Sequence, residues 1–305
     1  MRVFVTGASG HIGSAVVPEL IKAGHEVTGL ARSDASADAV QAMGAAVQRG
    51  DLSDLDALRA AAADHDAVIH LAFDHVTMLT DFAAAAAADL DVVRAFGDGL
   101  AGTGKTLIGV GMAPTGDPER DAIINANPRS EVAREIVTLG QRDVRTILVA
   151  VPPVTHSDRD RIGFVPNLIR IARDTGESGY AGAGTNHWPA VHTLDLAVLF
   201  RLALDQAPAG SQVFGAAEAG IEVRQIAEVI ARHLDVPAVS ISDDRVTDHF
   251  QGFQFVTLDV TMPTAPSREL LGWEPTHPGL IADLDEGHYF EPAAAGTARP
   301  AELRR

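Results

Sequence analysis

Short apolar runs alternate with longer amphipathic segments through the first half of the chain. The apolar runs predict six strands, at residues 3–5, 26–31, 47–50, 67–72, 106–110 and 146–151. Apolar side chains spaced three or four residues apart predict helices between them, at residues 12–21, 55–63, 82–96 and 130–139, the last with Ser130 as its N-cap. This alternation predicts an α/β fold whose parallel sheet is covered by helices on both faces.

The alternation becomes irregular in the second half of the chain. Helical patterns recur at residues 165–173, 194–204 and 223–234. We therefore predict a Rossmann-type, doubly wound dinucleotide-binding domain over residues 1–155. A smaller, interwoven substrate lobe is predicted over residues 156–290, with segments that return to the sheet. Residues 291–305 are rich in Ala and Pro without periodicity, which predicts a loose tail.

A glycine-rich turn joins the first predicted strand to the first predicted helix. Gly7 permits a tight turn, Gly10 lets the backbone approach a pyrophosphate, and Gly13 lets the helix pack closely on the strand. The N-terminus of that helix offers N–H groups and a positive dipole end to phosphate. A strand before the glycines and a helix after them indicate a dinucleotide site. Its candidate residues are Gly7, Ser9, Gly10, His11, Ile12 and Gly13.

The end of the second predicted strand indicates which dinucleotide binds. An NAD site usually has Asp or Glu there, hydrogen-bonded to the ribose, whereas this strand ends in Arg32 and Ser33, with no acid before Asp34. The charge of Arg32 and the hydroxyl of Ser33 suit a 2′-phosphate. The alternative is that Arg32 is an ordinary surface residue. The sequence favours NADP(H) over NAD(H).

Composition narrows the class of protein. The 305 residues carry a formal net charge of −17, which would repel nucleic acid over most of the surface. The chain has no cysteine, and no His and carboxylate motif at ligand spacing predicts a metal. The first strand begins at Arg2, which leaves no room for a signal peptide, and no apolar run is long enough to span a bilayer. We expect a cytoplasmic protein with a small-molecule substrate and no nucleic-acid or membrane partner, and we leave a homodimer open.

Later segments of the chain match one known family. They lie at residues 51–52, 70–72, 152–156, 182–195 and 270–275. Together with residues 6–13 they resemble the extended short-chain dehydrogenase/reductase superfamily, also called the NAD-dependent epimerase/dehydratase family. The resemblance covers about residues 1–290. It implies that Asp51 and Leu52 contact adenine and that residues 70–72 pass under the nicotinamide-side ribose, and we expect Leu71, Ala72 and Phe73 to contact the cofactor.

The chain departs from this family at the catalytic residues. These enzymes place a Tyr and a Lys four residues apart at the start of the fifth helix, where the Tyr donates a proton and the Lys lowers the pKa of the Tyr. Neither Tyr180 nor Tyr289 is followed by Lys at that spacing, and the best register puts Asn127 and Glu131 at the two positions. No hydroxyl follows the fifth strand until Thr115.

Hydride transfer needs only a nicotinamide held against an electrophilic carbon. Because the Tyr and Lys of the family are missing, we expect substrates such as iminium ions, enones and quinones, whose reduction needs only a weak acid. The sequence predicts an NADPH-dependent oxidoreductase that acts on a small, fairly apolar compound of this kind. The alternatives are a redox-neutral isomerase, dehydratase or cyclase that retains NADP, and a non-catalytic NADP-binding sensor.

Replacement groups are expected on the loops at the carboxyl ends of the strands. His75 and Asn127 are the candidate catalytic residues. The candidate substrate contacts are Met112, Thr115, His156, His187 and Trp188. Trp188 with Phe250, Phe253 and Phe255 lines an aromatic pocket in one interpretation and belongs to the core in the other.

Overall fold

The computed structural model describes residues 1–112 and 118–291. In that part of the chain the strands are β1 (Arg2–Thr6), β2 (Glu26–Ala31), β3 (Ala46–Arg49), β4 (Ala67–His70), β5 (Thr106–Val110), β6 (Arg145–Ala150), β7 (Val154–His156), β8 (Ser178–Ala181), β9 (His187–His192), β10 (Ser211–Phe214), β11 (Glu218–Glu222) and β12 (Ala238–Ile241). The α-helices are α1 (Gly13–Lys22), α2 (Asp34–Ala42), α3 (Leu55–Asp64), α4 (His75–Thr80), α5 (Phe82–Leu100), α6 (Pro118–Ala126), α7 (Ser130–Leu139), α8 (Phe164–Thr175), α9 (Thr193–Gln206), α10 (Val223–Leu234), α11 (Asp243–His249), α12 (Ala265–Leu271) and α13 (Leu280–Asp285).

Seven parallel strands form the central sheet, in the order β10–β6–β5–β4–β1–β2–β3. β1 lies between β2 and β4, so the chain builds the sheet outwards from β1, first to one side and then to the other. In open α/β sheets, ligands bind at the carboxyl ends of the strands where this reversal occurs. The predicted Rossmann-type, doubly wound fold is confirmed, and the glycine-rich turn after β1 lies at that crevice.

Alternate side chains of the central strands enter two different cores. On β1, Val3 and Val5 pack in the core that includes α1 and α9, while Phe4 packs in the core that includes α3, α5 and α7. Successive strand residues point to opposite faces of a sheet, and a strand buried on both faces is therefore apolar throughout. The uninterrupted apolar run of β1 has this cause.

The second half of the chain builds a smaller lobe around a third core. The lobe contains the sheets β11–β9–β7 and β12–β8. Its core includes buried side chains of α8, α10 and α13 together with Trp188. Two elements of this half return to the central sheet: β10 is its edge strand beside β6, and α9 packs on its face. Trp273 also lies in the sheet's core, so the lobe is interwoven with the sheet.

Among the local features that differ from the sequence prediction are α2 and the N-terminus of α7. α2 was not predicted, because Val40 is its one buried side chain and an apolar stripe is therefore missing. The predicted Ser130 cap is wrong by one position. Arg129 occupies the N-cap of α7 without a capping side chain, and the Ser130 hydroxyl accepts a hydrogen bond from Arg134 at 2.6 Å. None of the described helices is both long and apolar enough to cross a bilayer.

The two tryptophans allow a matched test of one buried hydrogen bond. Both are fully buried, but Nε1 of Trp273 donates to the carbonyl oxygen of Asp195 at 2.9 Å, whereas Nε1 of Trp188 has no partner among the described residues. Trp273→Phe should lower the free energy of unfolding by about 0.5–1.5 kcal/mol more than Trp188→Phe, because it removes a buried hydrogen bond that Trp188 does not make. Urea unfolding followed by circular dichroism measures both losses. Equal losses would contradict the assignment.

Candidate active site

The glycine-rich turn after β1 lies against the end of β4. Gly7 has a φ of 69°, and a Cβ there would lie 2.7 Å from the backbone nitrogen of Ala72. A Cβ on Gly13 would lie 2.1 Å from the carbonyl oxygen of Gly7. Both collisions are with backbone atoms, which cannot rotate aside as a side chain can. The turn and its contact with β4 therefore require glycine.

Two backbone N–H groups of the same turn are available to bind a ligand. The N–H of Gly10 donates to the Gly7 carbonyl at 2.9 Å, whereas the N–H groups of His11 and Ile12 donate to no acceptor in the described residues. α1 begins at Gly13 with no side-chain cap and no acidic residue in its first turn. Free N–H groups at the positive end of a helix, with no competing carboxylate, suit an anion. The residues present therefore fit the pyrophosphate of a dinucleotide.

Buried polar side chains join the ends of β1 and β4 to two helices. His70 places Nδ1 2.6 Å from Oγ1 of Thr6 and Nε2 2.9 Å from Oδ1 of Asp89 on α5. The other Asp89 oxygen accepts a hydrogen bond from Nε of Arg129 at 3.0 Å. Burial alone would raise the pKa of the Asp89 carboxyl, but the hydrogen bonds and charges of His70 and Arg129 outweigh it and hold this pKa below its usual value. Asp89 is therefore an anion that fixes Arg129.

Arg129, Phe73 and His75 come together at the carboxyl ends of β4 and β5. The guanidinium carbon of Arg129 lies 4.3 Å from the ring centroid of Phe73, and its Nη2 lies 3.5 Å from the carbonyl oxygen of Val110. The ring of His75, the first residue of α4, meets the Phe73 ring edge-on at 5.4 Å. Partial burial and the charge of Arg129 lower the pKa of His75, against the opposing charge of Asp74. This edge presents a cation beside an imidazole that is mostly neutral at pH 7.

Asn127 and Glu131 occupy the positions aligned with the family's Tyr and Lys. Asn127 is exposed, and its Oδ1 accepts the N–H of Arg129 at 2.9 Å. Glu131 is exposed and lies 3.3 Å from Arg134. The Asn127 side chain thus holds the turn that presents Arg129, and its predicted catalytic role stays a prediction. Sequence reasoning missed Arg129, for which the available signal was a cation between the two aligned positions.

Two arginines lie near the expected 2′-phosphate position. Arg32 is exposed after β2 and forms no ion pair with a described residue. Ser33 is the N-cap of α2, and its hydroxyl accepts from the N–H of Ser36 at 3.2 Å and donates to its Oγ at 3.0 Å. Arg49, at the end of β3, donates to the Ser33 carbonyl and to Asp34. Capping therefore competes with a phosphate for Ser33, and Arg49 is a second cation that the prediction missed.

The remaining predicted cofactor contacts line the same edge of the central sheet. Ser9 is exposed and lines a groove of about 500 Å³ between α1 and α2. Asp51 accepts the N–H of Ser53 at 2.9 Å, and Leu52 packs partly buried against the core of α3. Leu71 donates its N–H to the Thr6 carbonyl at 3.2 Å. Their roles towards the cofactor stay predictions.

The second lobe touches the glycine-rich turn directly. His11 Nε2 lies 2.7 Å from Oγ1 of Thr193, and Arg159 donates to the carbonyl of Ser14 at 2.7 Å. The Nδ1 of His11 lies 3.9 Å from the buried carboxyl of Asp160. Burial, helped by neighbouring positive charges, lowers the pKa of His11 to about 4, and burial raises the pKa of Asp160 to about 6. Between about pH 4 and 6 both groups are neutral, and above about pH 6 Asp160 becomes an anion beside a neutral His11.

Of three further predicted substrate contacts, Met112 packs in an apolar group and His187 forms an ion pair. Met112 is partly buried beyond β5 and packs against Ala150, Ala216 and Met262. His187 is partly exposed, and its Nδ1 lies 3.1 Å from the Asp259 carboxylate. Thr115 lies outside the described residues. The apolar group around Met112 therefore lies at the carboxyl ends of β5 and β6.

His156 and Trp188 are fully buried, which corrects their prediction as substrate contacts. Nδ1 of His156 lies 2.8 Å from Asp283, and the Trp188 ring packs against Phe164 and Phe253 inside the lobe. Neither side chain presents a surface to a ligand. The core interpretation of Trp188 therefore holds, and the local apolar pattern could not distinguish it from a pocket.

Two clusters in the described part of the chain have ligand atoms close enough for a metal ion: Asp283 with Glu286 and His288, and His192 with Asp195 and His277. The Asp195 carboxylate already accepts the N–H groups of Thr276 and His277, each at 3.0 Å, and lies 2.8 Å from Nδ1 of His277. These bonds anchor the segment after α12 to α9. Structural hydrogen bonding accounts for the Asp195 cluster, and the absence of a metal stays a prediction.

Several known proteins are similar to this chain in sequence or in fold. Residues 7–138 match the model of the NAD(P)H-binding family. An uncharacterised protein of Schizosaccharomyces pombe is 40% identical over 299 residues, which cover 95% of this chain and 100% of that protein. A 4-hydroxy-2-methyl-3-oxo-4-farnesyl-3,4-dihydroquinoline-1-oxide ketoreductase of Stigmatella aurantiaca is 26% identical over 239 residues, or 73% of this chain and 70% of that one. The structure of dTDP-glucose 4,6-dehydratase from Streptomyces venezuelae, with NAD bound, has a TM-score of 0.71 at 17% identity, over 95% of this chain and 97% of that chain.

The glycine-rich turn and the doubly wound sheet define a dinucleotide-binding protein. The chain shares its family with the 40% identical protein of Schizosaccharomyces pombe, residues 7–138 match the NAD(P)H-binding family, and the fold is that of the epimerase/dehydratase-type enzymes. The resemblance seen in the sequence is thereby confirmed, and a nicotinamide dinucleotide is the cofactor class.

Proposed function

We propose that the chain is an NADPH-dependent oxidoreductase that reduces a small, fairly apolar activated carbonyl, enone or imine compound. The observation that carries the proposal is the glycine cradle at Gly7 and Gly13, next to the strand-end group of Phe73, His75 and Arg129. The ketoreductase relative supports reduction of a carbonyl. The apolar group around Met112 supports an apolar substrate. We retain the expectation of a cytoplasmic location.

The residues at the strand ends favour an activated electrophile. Bound NADPH supplies the hydride. A simple ketone also needs a proton, and a positioned acid contributes roughly 10²- to 10⁴-fold to such reactions. Arg129 carries a permanent charge and cannot donate that proton, and His75 is mostly neutral at pH 7. A substrate that spreads the developing charge over a conjugated system has less need of an acid.

The turnover of a defined panel tests this function. The purified chain should oxidise NADPH with menadione, 2-cyclohexenone or 3,4-dihydroisoquinoline at least tenfold faster than with acetophenone, because the last compound needs the missing acid most. Absorbance of NADPH gives the rates. The matched control is Gly10→Val, whose side chain fills the approach to the turn and should abolish turnover. Tight NADPH binding without turnover on any compound contradicts the proposal and favours a non-catalytic sensor.

A redox-neutral isomerase, dehydratase or cyclase that retains NADP is the second candidate. It is favoured by the contacts of His11 with Thr193 and of Arg159 with Ser14, which close the lobe over the turn. An enzyme that regenerates its cofactor gains from holding it. Stoichiometric NADP in the purified protein, released only on denaturation, would support this candidate over the reductase.

Arg32 should set the preference for the phosphorylated cofactor. Its exposed guanidinium has no ion pair among the described residues and is free to bind a 2′-phosphate, with charge-assisted hydrogen bonds worth roughly 1.5–3 kcal/mol each. Arg32→Ala should weaken NADPH at least tenfold and leave NADH unchanged, as measured by calorimetric titration. Arg2→Ala, at the opposite end of β1, is the control and should change neither affinity. Equal affinities of the unmodified chain for the two cofactors would refute the preference.

His75 is the proposed proton donor. Its pKa is lowered from the ordinary 6.5, so its protonated fraction, and with it the rate, should increase as the pH falls below 6.5. His75→Phe should reduce turnover at least tenfold, flatten this pH dependence and leave NADPH affinity unchanged, because His75 lies on α4 and not in the glycine-rich turn. Rates measured from pH 5 to 8 check the profile. A variant with the original profile would make water the donor.

A further inference from the structure

Arg129 has the geometry of a preset binding group rather than of a surface cation. Its Nε and Nη2 lie 3.0 and 2.9 Å from the same Asp89 oxygen, and its plane lies over Phe73. Asp89 is itself buried and held on its other oxygen by His70. The guanidinium therefore keeps one orientation without any help from a ligand, which lowers the entropic cost of binding one.

Part of this guanidinium is still available. The Arg129 side chain is 24% exposed, and its Nη1 donates to no acceptor in the described residues. Because the guanidinium is a rigid planar fork, Nη1 lies away from the edge that contacts Asp89. A ligand oxygen bound at Nη1 is therefore closer to the positive charge of Arg129 than to the Asp89 carboxylate. Its interaction with Arg129 remains attractive even though the Arg129–Asp89 ion pair has no net charge.

We propose that Nη1 of Arg129 binds the substrate oxygen that takes up negative charge, and that the substrates are conjugated carbonyl compounds whose reduced form is an enolate or a phenolate. The proposal rests on the proposed function and adds the substrate class to it. A permanent cation stabilises a delocalised oxyanion without giving up a proton. Phe73 beside it provides a flat apolar surface that suits a conjugated ring.

The reaction balances without an acid at this position. NADPH, when bound, would supply the hydride to the electrophilic carbon and become NADP⁺, and the electron pair of the conjugated C=O system would move to the oxygen. Arg129 holds that oxygen as an anion. The proton then comes from water or from His75, whose ring contacts Phe73 on the same edge of the sheet.

A binding measurement without turnover tests this site. The probe is 4-nitrophenol, whose anion is coloured, titrated across pH in the presence of the chain loaded with NADP⁺. The bound phenol should ionise at a pH about one unit lower than the free one, a roughly tenfold preference for the anion. Asp89→Asn removes the nearby negative charge but keeps Arg129, so it should strengthen the preference for the anion. The double variant Arg129→Gln/Asp89→Asn leaves no unpaired buried charge and should abolish it.

The two variants separate a ligand-binding role from a structural one. A purely structural ion pair predicts that Asp89→Asn is as damaging as the double variant, whereas a binding role predicts opposite effects on the anion. Circular dichroism of each variant confirms that it is folded. Equal anion binding by the unmodified chain and the double variant would overturn the proposal even if the panel is turned over. Anion binding that depends on Arg129 without any turnover would support this site and reject the reductase.

Discussion

A single buried carboxylate, that of Asp89, ties together the segments on which the site is built. Through His70 it reaches Thr6 at the end of β1, and through Arg129 it reaches the start of α7. Removing one partner of such a pair typically costs 3–5 kcal/mol, because the other charge is left buried and unpaired. A hydrophobic cluster of similar volume would hold the segments as well, but it would not fix the orientation of a guanidinium at the strand ends.

The fold was predictable because its signals are local. β1, β4 and β5 each contain an uninterrupted apolar run, at residues 3–5, 67–69 and 107–108, as a strand buried on both faces requires. The turn at residues 6–13 needs glycine for a steric reason that does not depend on the rest of the molecule beyond β4. Local periodicity and local steric constraints are therefore sufficient to predict these strands and this turn.

The site was less predictable because its signals are not local. Arg129 has a role only through Asp89 and Phe73, which lie far from it in sequence and carry no pattern that links them. The burial of His156 and Trp188 depends on α8, α13 and β9 meeting in one core, and single-residue polarity does not show it. In α2, capping by Ser33 takes the place of an apolar stripe, so a search for periodicity overlooks the helix.

The placement of the two indoles gives the molecule an internal pair of optical reporters. The chain has two tryptophans in all, and each lies at 0% exposure in a different core: Trp273 against the central sheet and Trp188 inside the lobe. Emission from the one follows the environment of the sheet, although Trp273 comes late in the sequence, and emission from the other follows the lobe. Loosening of the lobe from an intact sheet would therefore change the emission of Trp188 and leave that of Trp273 unchanged, even though both residues lie in the second half of the sequence.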